Sequence, residues 1–250
     1  TFIRLLMDLI KPTSGTASIF DMDSQRDSIR LKSLIGYQPG EILQFPGVTA
    51  GYLLNLLLNL RRIQDRHYLY ELAERFQLDL SSNFQNLSHG NKQKVGLIQA
   101  FMHQPKLMIL DEPTLGLDPI MQRELRLLME ENIKQGKTIL LSSHVLNEVE
   151  MVCNRIGLIN EGRIVREGTL AELRSSRIHK VSSQIEGVLP SKSALEAVGA
   201  EQIEFEGSLV RFEIRGSIDK AIKVLSNFQV QELDSRELSL EEVFFSEVKE

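Results

Sequence analysis

Two adjacent carboxylates, Asp111 and Glu112, follow a short apolar run, Leu107-Met108-Ile109-Leu110, in the stretch KLMILDEPTLGLD from Lys106 to Asp118. Such a run has the length of a buried central strand and is too short for a helix. Pro113 then removes an N–H donor and disfavours a helical residue before it, so the strand is expected to stop at the acids. Open parallel sheets place ligands at the carboxyl ends of their strands. Acids there suit phosphoryl transfer, with one carboxylate holding Mg²⁺ through water and the other orienting or deprotonating the attacking water. A buried strand followed by a solvated acidic turn accounts for the same residues, because the pattern alone is weak.

Three further features stand at a fixed order around these acids. Ser88-His89-Gly90 lies at an expected helix start, where a hydroxyl, a glycine and unbonded N–H groups can hold a phosphate; a plain capped helix is the simpler alternative. Gly116-Leu117-Asp118 forms a turn after the acids, with Asp118 placed to cap the helix beginning at Pro119. His144 ends the next apolar strand, where it can meet a γ-phosphate, position water, or serve as a hydrogen-bonded structural histidine.

The elements that must position these groups alternate between two periods. Helices are expected over Thr1–Ile10, Ile29–Leu34, Val48–Arg62, Tyr68–Phe76, Lys92–His103, from Pro119 to about Gln135, and over Val145–Val152. Strands are expected over Thr16–Asp21, Leu34–Tyr37, Leu107–Leu110 and Thr138–Ser142, with a hairpin from Arg155–Asn160 and Arg163–Glu167 joined by Glu161-Gly162. All-apolar strands alternating with helices predict an α/β domain whose parallel sheet is covered on both faces. The texture changes near residue 176. Beyond it the strands Gln202–Phe205 and Leu209–Ile214, the helix Ile218–Asn227 and a last short helix with Leu240, Val243 and Phe244 predict a small α+β domain. The expected division is therefore 1–175 and 176–250, with a helical subdomain at about 48–103.

Composition sets bounds on function. The 250 residues are 42% hydrophobic and 25% charged, which suits one large domain and one small one. A net charge of −5 gives no general attraction to nucleic acid. The single cysteine, Cys153, permits no internal disulfide and is read as a small core residue. The most apolar segment, YLLNLLLNL at Tyr52–Leu60, falls well short of the roughly 20 residues a membrane span needs.

The ordered set of motifs resembles the ATPase subunit of ABC transporters. LSHGNKQKVGLIQAF matches the signature region, LMILDEPTLGLDP the Walker B strand and D-loop, and LLSSH the switch-histidine loop. IGYQPGE and the C-terminal SLEEVFF look most like the daunorubicin-resistance type of exporter ATPases. The resemblance implies a P-loop NTPase-type core with a helical subdomain, ATP and Mg²⁺ as cofactors, and ATP hydrolysis powering export of a drug, antibiotic, lipid or polysaccharide. It implies a homodimer of ATPase subunits docked on an integral-membrane permease at the cytoplasmic face of the membrane, with no nucleic-acid partner. A regulatory, non-hydrolysing subunit or a soluble ABC-type ATPase is the alternative.

By the same resemblance Asp111 supports Mg²⁺ through water, Glu112 is the catalytic carboxylate and His144 the switch histidine. Ser88, His89, Gly90 and Asn91 face the nucleotide held by the opposite subunit, and Asp118 lies at the dimer interface. In the Q-loop, Gly40 occupies the place of the usual glutamine. Gln38 is left as a nucleotide contact, and Gln38 or Glu41 as a second approach to Mg²⁺. His89 and Asn91 replace the family's usual glycine and glutamine, and Leu115 replaces a small D-loop residue. The phosphate-cradling G-x-x-x-x-G-K-[ST] does not occur in these residues. The family's spacing places that loop ahead of Thr1, so this chain by itself is expected to hold ATP poorly.

Overall fold

A computed structural model describes residues 1–175 and 178–237. It divides the chain into two compact units, Thr1–His144 and Val145–Glu250. The first unit opens with α1 (Phe2–Leu6), β1 (Ser18–Ile19), β2 (Met22–Asp23), α2 (Ser28–Leu34) and β3 (Ile35–Gln38). It continues with α3 (Ala50–Leu60), α4 (His67–Arg75), a 3-10 turn at Phe84–Asn86, α5 (His89–Phe101), β4 (Leu107–Asp111), α6 (Pro119–Lys134) and β5 (Thr138–Ser142).

Strands β3, β4 and β5 form a parallel sheet with β4 in the middle. Met108, Ile109 and Leu110 are wholly buried, as a strand covered on both faces requires. Alternation along the strands assigns the faces. Ile35, Tyr37, Leu107, Ile109 and Leu140 pack with Ile3, Met7 and Leu31 on one side. Gly36 and Gln38 turn to the other side, where α5 lies close above β3. Helices α3 and α4 pack in turn on α5, and they bury Leu53, Leu54, Leu58, Leu69 and Leu72. Each such side chain contributes about 1.5–3 kcal/mol by leaving water.

Capping sets the helix starts. The Thr49 hydroxyl accepts from the N–H of Tyr52 at 3.1 Å, so α3 starts at Ala50 rather than Val48. Ser88 does the same for α5, which begins at His89, three residues before the expected Lys92. This correction matters to function, because His89, Gly90 and Asn91 are the first helical turn and not a preceding loop. Two other expectations are corrected. The strand expected over Thr16–Asp21 is a hairpin, β1 and β2, because Phe20 and Asp21 both take positive φ and turn the chain. The first helix ends at Leu6, and Asp8 takes a φ of 50° just beyond it.

His103 is a buried group with a pH consequence. Its Nε2 lies 3.2 Å from the Ile35 carbonyl. Burial, helped by the Arg61 charge, holds its pKa at about 4. The unfolded chain therefore takes up a proton on this ring near pH 6.5 while the folded chain does not. Its contribution is fully present above pH 6.5 and is lost as pH falls towards 4, by about 2 kcal/mol at pH 4.5. Urea unfolding at pH 7 and pH 4.5 should show that loss, and His103→Gln should reduce it; an unchanged pH dependence in the variant would contradict the assignment.

The second unit contains α7 (Leu146–Val152), β6 (Arg155–Asn160), β7 (Arg163–Thr169) and α8 (Leu170–Ser175). Strands β6 and β7 form the expected hairpin, turned by Glu161 and Gly162, both at positive φ. Val149, Ile156 and Leu158 make a small core there, with Leu146, Cys153 and Leu170 packed against it. Next come β8 (Ile178–Glu186), α9 (Lys192–Glu196), β9 (Ala200–Glu206), β10 (Leu209–Arg215), α10 (Asp219–Leu225) and β11 (Gln229–Glu237). The antiparallel sheet has the order β11-β8-β10-β9. Its core joins Val181, Ile185, Val210, Phe212 and Ile214 to Leu195, Ala221 and Leu225 of the two helices. The division between compact units falls after His144, whereas the sequence reading placed a boundary near residue 176. The expected last helix, with Leu240, Val243 and Phe244, lies outside the described residues. No helix among the described residues is long and apolar enough to cross a membrane.

Candidate functional site

The site is built at the carboxyl ends of β4 and β5. The parallel register sets Asp111 beside Ser142, and the Ser142 hydroxyl donates to Asp111 Oδ1 at 2.5 Å. The next residue, Glu112, leaves the strand with a φ of 49°. Its N–H reaches the carbonyl of Ser142 at 3.1 Å and the Ser142 hydroxyl at 3.2 Å. Its carboxylate Oε2 lies 2.8 Å from Nδ1 of His144. Glu112 is only partly exposed and His144 is mostly exposed, so the pair faces open space from a supported base. Residues 32 apart in sequence are thus brought into direct contact by two adjacent strands.

The turn after Glu112 is shaped by contact with α5. Gly116 has a φ of 77°, and a Cβ there would meet the His89 ring at 2.4 Å. A Cβ at Gly90 would meet the Gly116 carbonyl at 2.5 Å. Both glycines are therefore required by close approach, and His89 seats its ring on the turn. Ser88 accepts from the Asn91 N–H at 3.2 Å. Asp118 caps α6, its Oδ1 accepting from Ile120 and Met121 at 3.0 Å each. The remaining N–H groups of the first turn of α5 are not used by its own ladder and give that end a partial positive charge.

The Q-loop residues separate. Gln38 is wholly buried; its Nε2 donates to the Pro39 carbonyl at 3.0 Å, and its stem lies against Gly96 of α5. Its Oε1 is buried and has no hydrogen-bond partner. Glu41 is exposed. Gly40 instead lies against Asp111, where a Cβ would stand 3.7 Å from Oδ2. Nearby, burial and the Asp111 charge push the Tyr37 hydroxyl above its usual pKa.

One residue of the site was not among those read from the sequence. Gln93 is wholly buried and donates from Nε2 to the Glu112 carbonyl at 3.1 Å. The available signal was an amide heading the apolar stripe Gly96, Leu97, Ala100 at helical spacing.

Among the described residues no three His, Cys, Asp or Glu side chains converge as a complete metal cage. A single carboxylate oriented by a hydroxyl nevertheless fits Mg²⁺, which keeps most of its waters and takes phosphate oxygens as further ligands.

Comparison with known proteins agrees with this geometry. A family model for ABC transporters matches residues 1–115. The bacitracin transport ATP-binding protein BcrA of Bacillus licheniformis is 37% identical over 174 residues, covering 67% of this chain and 56% of its own length. The chain thus spans about half the length of that relative. The uncharacterized ABC transporter ATP-binding protein YxlF of Bacillus subtilis strain 168 is 30% identical over 208 residues, covering 79% of this chain and 68% of its own length. A solved structure of an ATP-binding subunit of an ABC transporter superposes with a TM-score of 0.65 at 31% identity, over 69% of this chain and 74% of that one. With motif order, sheet register and these matches in agreement, the chain belongs to the ATP-binding subunits of the ABC transporter family.

Proposed function

We propose that this chain supplies the hydrolytic and partner-facing parts of an ATP site and, joined to a phosphate-binding loop, hydrolyses ATP to power export through an integral-membrane permease. The observation that carries the reading is the Glu112–His144 contact of 2.8 Å beside the Ser142-held Asp111. A water-directing carboxylate, an imidazole and a metal-supporting carboxylate meet there at one end of the sheet.

In this reading two copies meet head to tail, and each offers Ser88, His89, Gly90 and Asn91 to the nucleotide of the other. Glu112 accepts a proton from water aligned with the γ-phosphate. His144 meets the Glu112 carboxylate through Nδ1 and is the switch histidine on the γ-phosphate side. Asp111 would hold Mg²⁺ through water, with Glu41 the Q-loop carboxylate able to approach it; the ion supplies charge neutralisation on the phosphate oxygens. Asp118 fixes the start of α6 at the interface between copies. The segment from Gln38 to Phe76, with its exposed Leu43, Tyr52 and Leu60, is the docking surface for the permease at the cytoplasmic face of the membrane. Among the drug, antibiotic, lipid and polysaccharide cargoes expected of such exporters, BcrA, named for bacitracin transport, favours an antibiotic. The net charge of −5 over these residues gives no support to a nucleic-acid partner.

The reading is tested with protein that carries the phosphate-binding loop together with these residues. Mg²⁺-dependent ATP hydrolysis and co-purification with a membrane subunit are expected. ATP binding without hydrolysis would favour the regulatory alternative. The 250-residue chain alone should give no calorimetric signal for ATP at micromolar concentrations, and tight binding by it would contradict the division of the site.

A further inference from the structure

Glu112 holds a backbone conformation that its residue type disfavours. A non-glycine residue at positive φ is strained and persists where its surroundings impose it. Here they do so from both sides. Ser142 takes the N–H. The carbonyl accepts from the N–H of Leu115 at 3.2 Å and from Nε2 of Gln93 at 3.1 Å. Ser142 and Leu115 belong to the neighbouring strand end and to the turn itself. Gln93 alone comes from α5.

Gln93 is a poor choice for stability by itself. It is wholly buried, and its Oε1 has no hydrogen-bond partner. An unpaired buried polar atom is unfavourable, and an apolar side chain of the same length would avoid that penalty. What the amide adds is a donor on the carbonyl of Glu112. The helix that carries it is also the one whose first turn, from His89, packs on Gly116. The loop from Glu112 to Gly116 is thereby fastened to α5 at both ends.

The geometry points to Gln93 as a positioning residue: through the Glu112 carbonyl it fixes the backbone from which the Glu112 carboxylate reaches His144 and water, and it couples that carboxylate to the helix that serves the opposite copy's nucleotide. This rests on the role proposed above for Glu112.

The test is steady-state ATPase kinetics on loop-bearing protein with Gln93→Met and Gln93→Leu, each also in a Glu112→Gln background. The Leu115 bond remains, so both variants should fold with melting temperatures close to the parent's. Turnover should fall about 10- to 100-fold, the scale of a misplaced catalytic group. KM for ATP should stay within about twofold, and the same change should cost less than about twofold when Glu112 is already glutamine. Unchanged turnover, a rise in KM in step with the loss, an equal loss in both backgrounds, or failure of both variants to fold would overturn the inference. Near-normal turnover by Glu112→Gln alone would instead overturn the function proposed for the site.

Discussion

Glu112→Gln, in protein carrying the phosphate-binding loop, is expected to lower ATP turnover by about 10²–10⁴-fold, the usual worth of a general base. The substitution keeps the shape of the side chain and removes its capacity to accept a proton. The backbone of Glu112 is held by Ser142, Leu115 and Gln93, none of which bonds its carboxylate, so the strand end and the turn should survive. An amide can still bond His144, now without charge. Nucleotide binding and pairing of the copies should therefore persist while hydrolysis stops. Single-turnover hydrolysis, measured beside equilibrium ATP binding, separates these effects; equal loss of both would make Glu112 a binding residue.

The second large effect concerns stability. Gly36→Ala adds one methyl group at the closest approach of β3 to α5. Its Cβ would stand 1.9 Å from the Ala100 carbonyl and 2.8 Å from Pro105. The first neighbour is helix backbone, which cannot swing aside as a flexible side chain can. Either α5 lifts from the sheet or β3 bends, and both disturb wholly buried neighbours such as Met108 and Leu97. Overpacking of this kind costs about 3 kcal/mol at its upper range, a large share of the 5–15 kcal/mol that typically holds a domain together. A lowered urea midpoint with an unchanged slope would show it. A midpoint shift worth less than about 1 kcal/mol would mean that α5 yields more easily than its packing implies. Since α5 is capped by Ser88 and carries Gln93, any activity left in this variant should be reduced as well.

The parts of this molecule legible in sequence are those where one strong local signal acts alone. The apolar runs Leu107–Leu110 and Thr138–Ser142 lie in the sheet as read; the first is the central strand, largely buried, while the second flanks it and is only half-buried. Asp118-Pro119 and Ser88 mark helix starts by hydrogen bonds within a single turn. Less legible were features decided by partners distant in sequence. Strand β8 mixes lysine, serine and glutamine with its inward Val181 and Ile185, so its alternation is diluted; even the inward Ser183 is buried, donating to the Glu232 carbonyl at 3.3 Å. Strand β11 shifts register between Val230 and Glu232, which breaks the period that would reveal it.

At the site the same contrast holds. The acids, the histidine and the signature residues could be named from their order. Their geometry could not. That His89 would seat on Gly116, that Gln38 would turn inward, and that Gln93 would reach the Glu112 carbonyl all depend on how closely α5 approaches the sheet. The approach to the sheet is set by Gly36, whose added Cβ would meet the Ala100 carbonyl at 1.9 Å, and the approach to the flanking loops by Gly90 and Gly96, whose added Cβ atoms would meet the Gly116 carbonyl at 2.5 Å and the Ile42 side chain at 2.3 Å. Small residues at such positions carry tertiary information, but in sequence they read as ordinary glycines inside a strand or a helix.

If Glu112 of one copy and Ser88–Gly90 of another act on a single ATP, the association state of the loop-bearing Glu112→Gln protein, followed by sedimentation, should depend on the nucleotide. A dimer should form with ATP, be absent with ADP, and be lost when Ser88→Arg is added. A Glu112→Gln protein that binds ATP yet remains a monomer, or a dimer indifferent to Ser88→Arg, would contradict it.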